Sequence, residues 1–238
     1  DGRPNDRIGL VVFAARAFLD NGDAIITETR YDAVGQVKAE ITHATPITLQ
    51  QSSSAADVAS LLASAPATTV ADRISTFTYD NLGRLTAQTV NGVTSETNTY
   101  DGLDNVTSTT DANGNVSYFV YDSNGRLSFS FEPLNINAAG TVFDGLGYTA
   151  NTDEYRVRSF EYDANDGVVS EKVYLESASL SGDQISAILA GTFTIGGLLG
   201  GLAFRETVRL FNSFGQQTGE YVQDDQGKVL SLFQIEYD

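Results

Sequence analysis

The sequence predicts a mainly β protein: an antiparallel meander of hairpins with two short helical insertions. Three observations predict it. A Tyr-Asp pair recurs at Tyr79-Asp80, Tyr100-Asp101 and Tyr121-Asp122 with constant spacing, 100 − 79 = 21 and 121 − 100 = 21. A fixed period means that one small unit is stacked on itself. The residues around each pair alternate polar with aromatic or β-branched, which is a strand signal. Turn residues rather than helical runs separate these strands, so the units are hairpins and not βαβ crossovers.

The elements follow in chain order. Asp1 to Gly9 is a polar, irregular lead-in. Leu10 to Leu19 fits a strand or a short helix. The Asp20-Asn21-Gly22-Asp23 turn and the strand-like Ala24 to Tyr31 favour a hairpin. Tyr31-Asp32-Ala33-Val34-Gly35-Gln36-Val37 is the first copy of the motif, with Gln36 where Arg84 and Arg126 stand later. An insertion at about 43–73 interrupts the pattern. Ser52 to Asp57 offers helix caps, Val58, Leu61, Leu62 and Ala65 fall at helical spacing, and Pro66 stops the run. This predicts a helix over 55–65 whose Leu61-Leu62 face docks on the sheet or plugs an opening.

The regular block spans Phe77 to Phe131. In Tyr79-Asp80-Asn81-Leu82-Gly83-Arg84-Leu85, Tyr79 closes one strand and Leu85 opens its partner. Asp80 suits the first turn position because its carboxylate accepts a backbone N–H two residues on. Gly83 suits the last because it tolerates positive φ. Together they predict a type I turn followed by a bulge. Tyr121-Asp122, Gly125 and Arg126 repeat this chemistry, Asn91-Gly92 predicts a two-residue hairpin, and Asp111 to Asn115 is again turn chemistry. Each tyrosine is expected flat against its neighbouring strand in an aromatic ladder, and each arginine near its turn aspartate. Glu132-Pro133 ends strand pairing. Leu134 to Asp153 reads as a loop, and strands resume at Glu154 to Tyr162. Tyr162-Asp163 opens a copy with an altered turn. A second insertion, at about 179–204, holds a two-turn helix around Ile185, Ile188 and Leu189. It then runs into an apolar, glycine-rich stretch, Gly191 to Phe204, read as tightly packed or as a mobile apolar loop, with membrane insertion as the minority alternative because the stretch is shorter than the roughly 20 residues a membrane helix needs. Phe211-Asn212-Ser213-Phe214-Gly215-Gln216 is a degenerate copy, and Asp224 to Val229 holds a further turn.

The string Tyr-Asp-x-x-Gly-Arg-Leu-Thr, as at Tyr79 to Thr86, resembles the YD repeat of the Rhs (rearrangement hotspot) family. Related repeats occur in toxin-complex C-components, in teneurins and in giant bacterial surface proteins. The resemblance is closest over 77–131, and weaker copies cover most of the rest. It implies a long sheet spiralling into a hollow shell and a secreted or cell-surface setting. It also implies neighbouring repeats as partners and a toxin as enclosed cargo. Some members of that family cleave themselves at an Asp-Pro-x-Gly type motif. The nearest string here, Phe143-Asp144-Gly145-Leu146-Gly147, lacks the proline, so no catalytic residue carries over.

Composition narrows the function. A chain of 238 residues that is 41% hydrophobic can build a core. A net charge of −17 repels nucleic acid and anionic lipid. Without cysteine there is no disulfide, thiolate nucleophile or thiolate-bound zinc. The single histidine, His43, is expected at the surface without a Ser or Asp partner. Asp111 to Asn115 superficially resembles a calcium loop, but its turn role explains it fully. No cofactor is expected. The residues singled out are structural: Tyr31, Asp32, Gly35, Tyr79, Asp80, Gly83, Arg84, Tyr100, Asp101, Tyr121, Asp122, Gly125, Arg126, Tyr162 and Asp163. The start at Asp1 and the end on Ile235-Glu236-Tyr237-Asp238 predict one segment of a longer array. The function expected is scaffolding. An adhesin displaying tyrosines to glycan or protein is the alternative. A glycosidase needing two facing carboxylates has no local support.

Overall fold

The computed structural model describes residues 11–18, 23–48, 54–64, 71–134, 141–142, 148–149, 154–195 and 197–235. It is mainly antiparallel β with two short helices, and it divides into two compact units, Asp1–Thr97 and Asn98–Asp238.

The first unit holds β1 (Val11–Phe18), β2 (Asp23–Tyr31), β3 (Val37–Thr42), β4 (Ile47–Thr48), α1 (Ala55–Ser64), β5 (Arg73–Tyr79), β6 (Leu85–Val90) and most of β7 (Val93–Tyr100). Its strands pair antiparallel in the order β1-β2-β3-β5-β6-β7, and β4 pairs with β2. The predicted hairpin at the start of the chain is therefore β1 and β2. Its turn, like the lead-in, lies outside the described residues. Asn91 and Gly92 have φ of 50° and 78°, the two left-handed residues of a type I′ turn, and Val90 faces Val93 across it. Helix α1 begins at Ser54, whose hydroxyl accepts the Asp57 N–H while Asp57 takes the Ser54 N–H back. Its Val58 is buried with Ala24, Ile26 and Ile47, and Leu61 and Leu62 pack against that cluster. The helix lies on the sheet, as its apolar face requires.

The second unit holds β8 (Val106–Asp111), β9 (Val116–Tyr121), β10 (Leu127–Pro133), β11 (Thr141–Val142), β12 (Tyr148–Thr149), β13 (Glu154–Tyr162), β14 (Val168–Tyr174), β15 (Ala178–Ser179), α2 (Gly182–Leu189), β16 (Phe204–Phe211), β17 (Gln217–Asp224) and β18 (Val229–Gln234). The antiparallel order is β8-β9-β10-β13-β14-β16-β17-β18, with β15 beside β13 and β11-β12 as a separate pair. Strand β10 ends at Pro133, which has no N–H to donate. Helix α2 opens with a capping box between Ser181 and Gln184.

The core of this unit lies where the second insertion covers the sheet. Phe131, Val157, Tyr155, Tyr118, Leu180 and Ile188 are buried there. Phe131 meets Tyr155 and Phe193 edge-on, with ring centroids 6.5 and 5.9 Å apart. Phe193, Ile195, Leu198, Leu199 and Leu202 pack against the same cluster. The glycine-rich stretch is thus packed apolar structure and not a loose loop.

This topology sets where the motif falls. In an antiparallel meander alternate turns share a rim. The Tyr-Asp turns after β2 and β5 lie on one rim of the first unit, and those after β7, β9 and β13, with the Phe211-Asn212 turn after β16, on one rim of the second. Turns on one rim are two strands apart, about 9.5 Å.

Candidate functional site

The Tyr-Asp turns and the turns at Asp111, Asn212 and Asp224 share one geometry. Let the aspartate be position one. Its N–H donates to the carbonyl of position five at 2.8–3.0 Å in the turns of Asp32, Asp80, Asp101, Asp111, Asp122, Asp163, Asn212 and Asp224. Its Oδ1 accepts the N–H groups of positions three and five, at 2.8–3.1 Å throughout. Its Oδ2 takes the position-five side chain: Arg84 Nε at 2.7 Å, Asn105 Nδ2 at 2.9 Å, Asn115 Nδ2 at 2.9 Å and Arg126 Nε at 2.8 Å. Position four is left-handed in every copy, with φ from 64° at Asp166 to 89° at Gly35. The strand register slips by one residue just before Tyr31, Tyr79, Tyr162 and Phe211, which is the bulge the turn chemistry predicts.

Successive turns also grip each other. The Tyr79 hydroxyl donates to the Val37 carbonyl at 2.9 Å, and the Tyr162 hydroxyl to the Leu127 carbonyl at 2.8 Å. In the other direction, Gln36 Nε2 donates to the Gly83 carbonyl at 3.1 Å. Arg126 Nη1 reaches the Asp163 carbonyl at 3.2 Å and Asp166 Oδ1 at 2.9 Å, and its guanidinium lies over the Tyr162 ring, 4.7 Å from the centroid. Position five of one turn thus holds the backbone of the next, and the next tyrosine holds the strand that leaves the first. The expected ladder is built at these two tyrosines from hydroxyl-to-carbonyl bonds, not from stacked rings.

Residues 100–128 match the family model described as RHS Repeat. The chain carries an RHS repeat. No curated protein matches it. Among solved structures, a Photorhabdus luminescens Tc holotoxin pore with a substituted TccC3 is 11% identical over 89% of this chain, with a TM-score of 0.34. TcdB2-TccC3-TEV is 12% identical over 89% of the chain, and TcdB2-TccC3-Cdc42 is 11% identical over 89%, each with a TM-score of 0.30. The chain spans 12% of the length of each of these.

The repeat's polar groups are turned inward on themselves, and its charges show it. At Asp80 and Asp122 the bonds from the backbone and side chain of Arg84 and Arg126 hold the carboxyl below the usual carboxylate range. At Asp111 partial burial works against this, and the bonds from Asn115 and Asn113 outweigh it. A carboxylate whose folded pKa is lowered contributes stability above its unfolded value, about 3.9, and loses it as pH falls through the folded one. Thermal melts are therefore expected to show no loss from pH 7 down to about 5 and to drop below about 4. Asp122→Asn should lessen that drop while keeping the Oδ1 acceptor, as Asn212 does in its own turn. A melting point already falling near pH 6 would refute this account.

Burial raises the Tyr79, Tyr121 and Tyr162 phenols, helped by Asp32, Asp101 and Asp122 of the preceding copies. Tyr121 stands at the register of Tyr79 and Tyr162, since Ser108 faces Tyr118 as Ala39 faces Thr76. It lines a cavity of about 200 Å³ with Asp101, Asn105, Leu103, Ile188 and Phe193. Tyr162→Phe is expected to cost about 1 kcal/mol, and Tyr121→Phe well under half of that. Denaturant melts of the two variants measure the difference.

Of the residues predicted from sequence, Asp101 and Asp163 keep the turn while glycine is displaced. Asp104 and Asp166 take the left-handed position, and Gly102 and Gly167 sit elsewhere. The sequence reading missed the partners Gln36, Val37 and Leu127, because a bond to a backbone carbonyl of the adjoining hairpin leaves no motif. The reading of His43 is corrected. It is largely buried, with Nδ1 3.0 Å from Asp72 Oδ2 and Nε2 3.4 Å from Glu28 Oε2. Asp72 lies 29 residues along the chain and becomes a partner only when β3 and β5 pair. The Phe143 to Gly147 string lies outside the described residues. Among the described residues no helix is long and apolar enough to cross a membrane.

Proposed function

We propose that the chain is a non-catalytic structural segment. In this reading it is part of a β-wall, shell or spacer in a large secreted or surface-bound bacterial protein, with a toxin as the enclosed cargo. The observation behind it is that the repeat's chemical groups serve the repeat. Each turn carboxylate accepts the N–H groups of its own turn, and Tyr79, Tyr162, Gln36 and Arg126 hold the adjoining hairpin. The β18 strand at the end of the sheet order supports continuation into another repeat or chain. Val229, Leu230, Leu232 and Phe233 are exposed on it, and an apolar edge strand is a template for pairing. No observation favours the adhesin alternative: the Tyr79 hydroxyl that would face a glycan is bonded to Val37.

The test uses the parent protein, wild type and Phe131→Ala, under limited proteolysis. A wild type whose strands and cargo resist cutting, with cargo cut in the variant, supports an enclosing wall. Cargo cut equally in both removes enclosure and leaves a spacer. Saturable glycan binding or turnover of a substrate by the purified chain overturns the structural reading.

A further inference from the structure

Away from the repeat rim, the single histidine of the chain stands at the stem of the first insertion. His43 follows β3, and its N–H donates to the Ile26 carbonyl at 2.9 Å. Asp72 stands just before β5. Its Oδ1 accepts the Ala44 N–H at 2.8 Å, and its Oδ2 lies 3.0 Å from His43 Nδ1. One carboxylate therefore fastens the first two residues of the 43–72 segment to its last. Across the ring, Nε2 is 3.4 Å from Glu28 Oε2, and it is buried without a hydrogen-bond partner. Ile26 joins this stem to α1, because its carbonyl takes the His43 N–H while its side chain is buried with Val58.

The two sides of the imidazole differ. An ionised carboxylate only accepts, so Nδ1 carries the proton of the neutral ring. Nε2 then turns a lone pair toward the Glu28 carboxylate, an arrangement that repels. Protonation puts a proton and a positive charge on the Nε2 side, so the Nδ1–Asp72 contact becomes a charge-assisted hydrogen bond and the Glu28 contact turns from repulsion into an ion pair. We propose that Glu28, His43 and Asp72 form a proton-sensitive clasp, which fastens the 43–72 segment and its helix to the sheet in mild acid and slackens it in mild base. The charged groups around it are Arg30, paired with Glu28, and Glu40, opposite Thr29 on β3. Arg73 lies opposite Thr42 on β5, and α1 brings Asp57, bonded to Ser54. Histidine is the side chain whose charge ordinarily changes between pH 5 and 8, and this chain has one. The clasp does not depend on the structural role proposed above.

Amide hydrogen exchange tests it, read at Ala44 and at Val58 near pH 5.5 and near pH 8. Rates are corrected for intrinsic exchange and referenced to Gly83, whose N–H is held by the Asp80 carbonyl in the repeat turn. Protection at Ala44 should fall about tenfold from acid to base, the size of one charge-assisted hydrogen bond. In His43→Gln the change should shrink to under about twofold, and in Glu28→Gln, which keeps the Asp72 contact, it should fall between that and the wild-type value. Equal protection at both pH values in the wild type, or a tenfold change persisting in His43→Gln, overturns the clasp. Nitrogen chemical shifts of the wild-type ring add a reading that needs no variant. A neutral ring protonated at Nε2 instead of Nδ1 overturns it equally.

Discussion

Phe131→Ala is expected to lower stability by about 3–5 kcal/mol, the range for deleting a buried phenylalanine. Phe131 is 0% exposed, and it is the side chain on which sheet and insertion meet. From β10 it reaches Tyr155 on β13, its neighbour in the sheet, and Phe193, which follows α2. Removing the ring leaves a void bounded by a strand on one side and a glycine-rich segment on the other. The strands are held by backbone ladders, whereas the 191–204 segment is held mainly by apolar contact. The segment should loosen first. The variant is expected to show a lower denaturation midpoint and new protease cuts between 182 and 203 under native conditions. Phe214→Ser is the matched control. That ring is 86% exposed at a turn tip and should change stability by no more than about 0.5 kcal/mol. Equal effects for the two variants would mean that the insertion is not seated on Phe131.

The hairpins were legible in the sequence because every determinant of a tight turn is local. Asp80, Gly83 and Leu85 lie within six residues, and β5 ends at Tyr79 and β6 begins at Leu85 as that spacing requires. The helices were legible for the same reason, through Ser54 with Asp57 and Ser181 with Gln184. What the sequence concealed is everything that depends on which strand lies beside which. Gln36 and Gly83 are 47 residues apart, and Tyr162 and Leu127 are 35 apart. Their bonds exist only because insertions of unequal length return the chain to the same register. The periodicity of 21 holds over the block where no insertion intervenes, so it reveals the unit but not the grip between units. His43 was misread for this reason too: composition shows one histidine, and only the pairing of β3 with β5 supplies Asp72.

Gly83→Val is the sharpest test of the repeat itself. Gly83 has a φ of 85°, where an L-residue costs about 1–2 kcal/mol and a β-branched one more. A Cβ there would stand 2.9 Å from Gln36 Nε2. That atom ends a flexible side chain, so it can swing away, but doing so breaks its bond to the Gly83 carbonyl, about 1 kcal/mol. The two effects together predict a loss of about 2–3 kcal/mol. They also predict an order among variants. Gly83→Asn should cost less than valine, because Asn and Asp visit the left-handed region more easily, and the chain itself places Asp104 and Asp166 there. Gly102→Val should cost least, since Gly102 lies outside that region and a Cβ on it meets nothing within 4 Å. Denaturant midpoints of the three proteins give the ranking. If valine at 83 and at 102 were equally tolerated, position four would not govern the turn, and the shared geometry of the copies would need another cause.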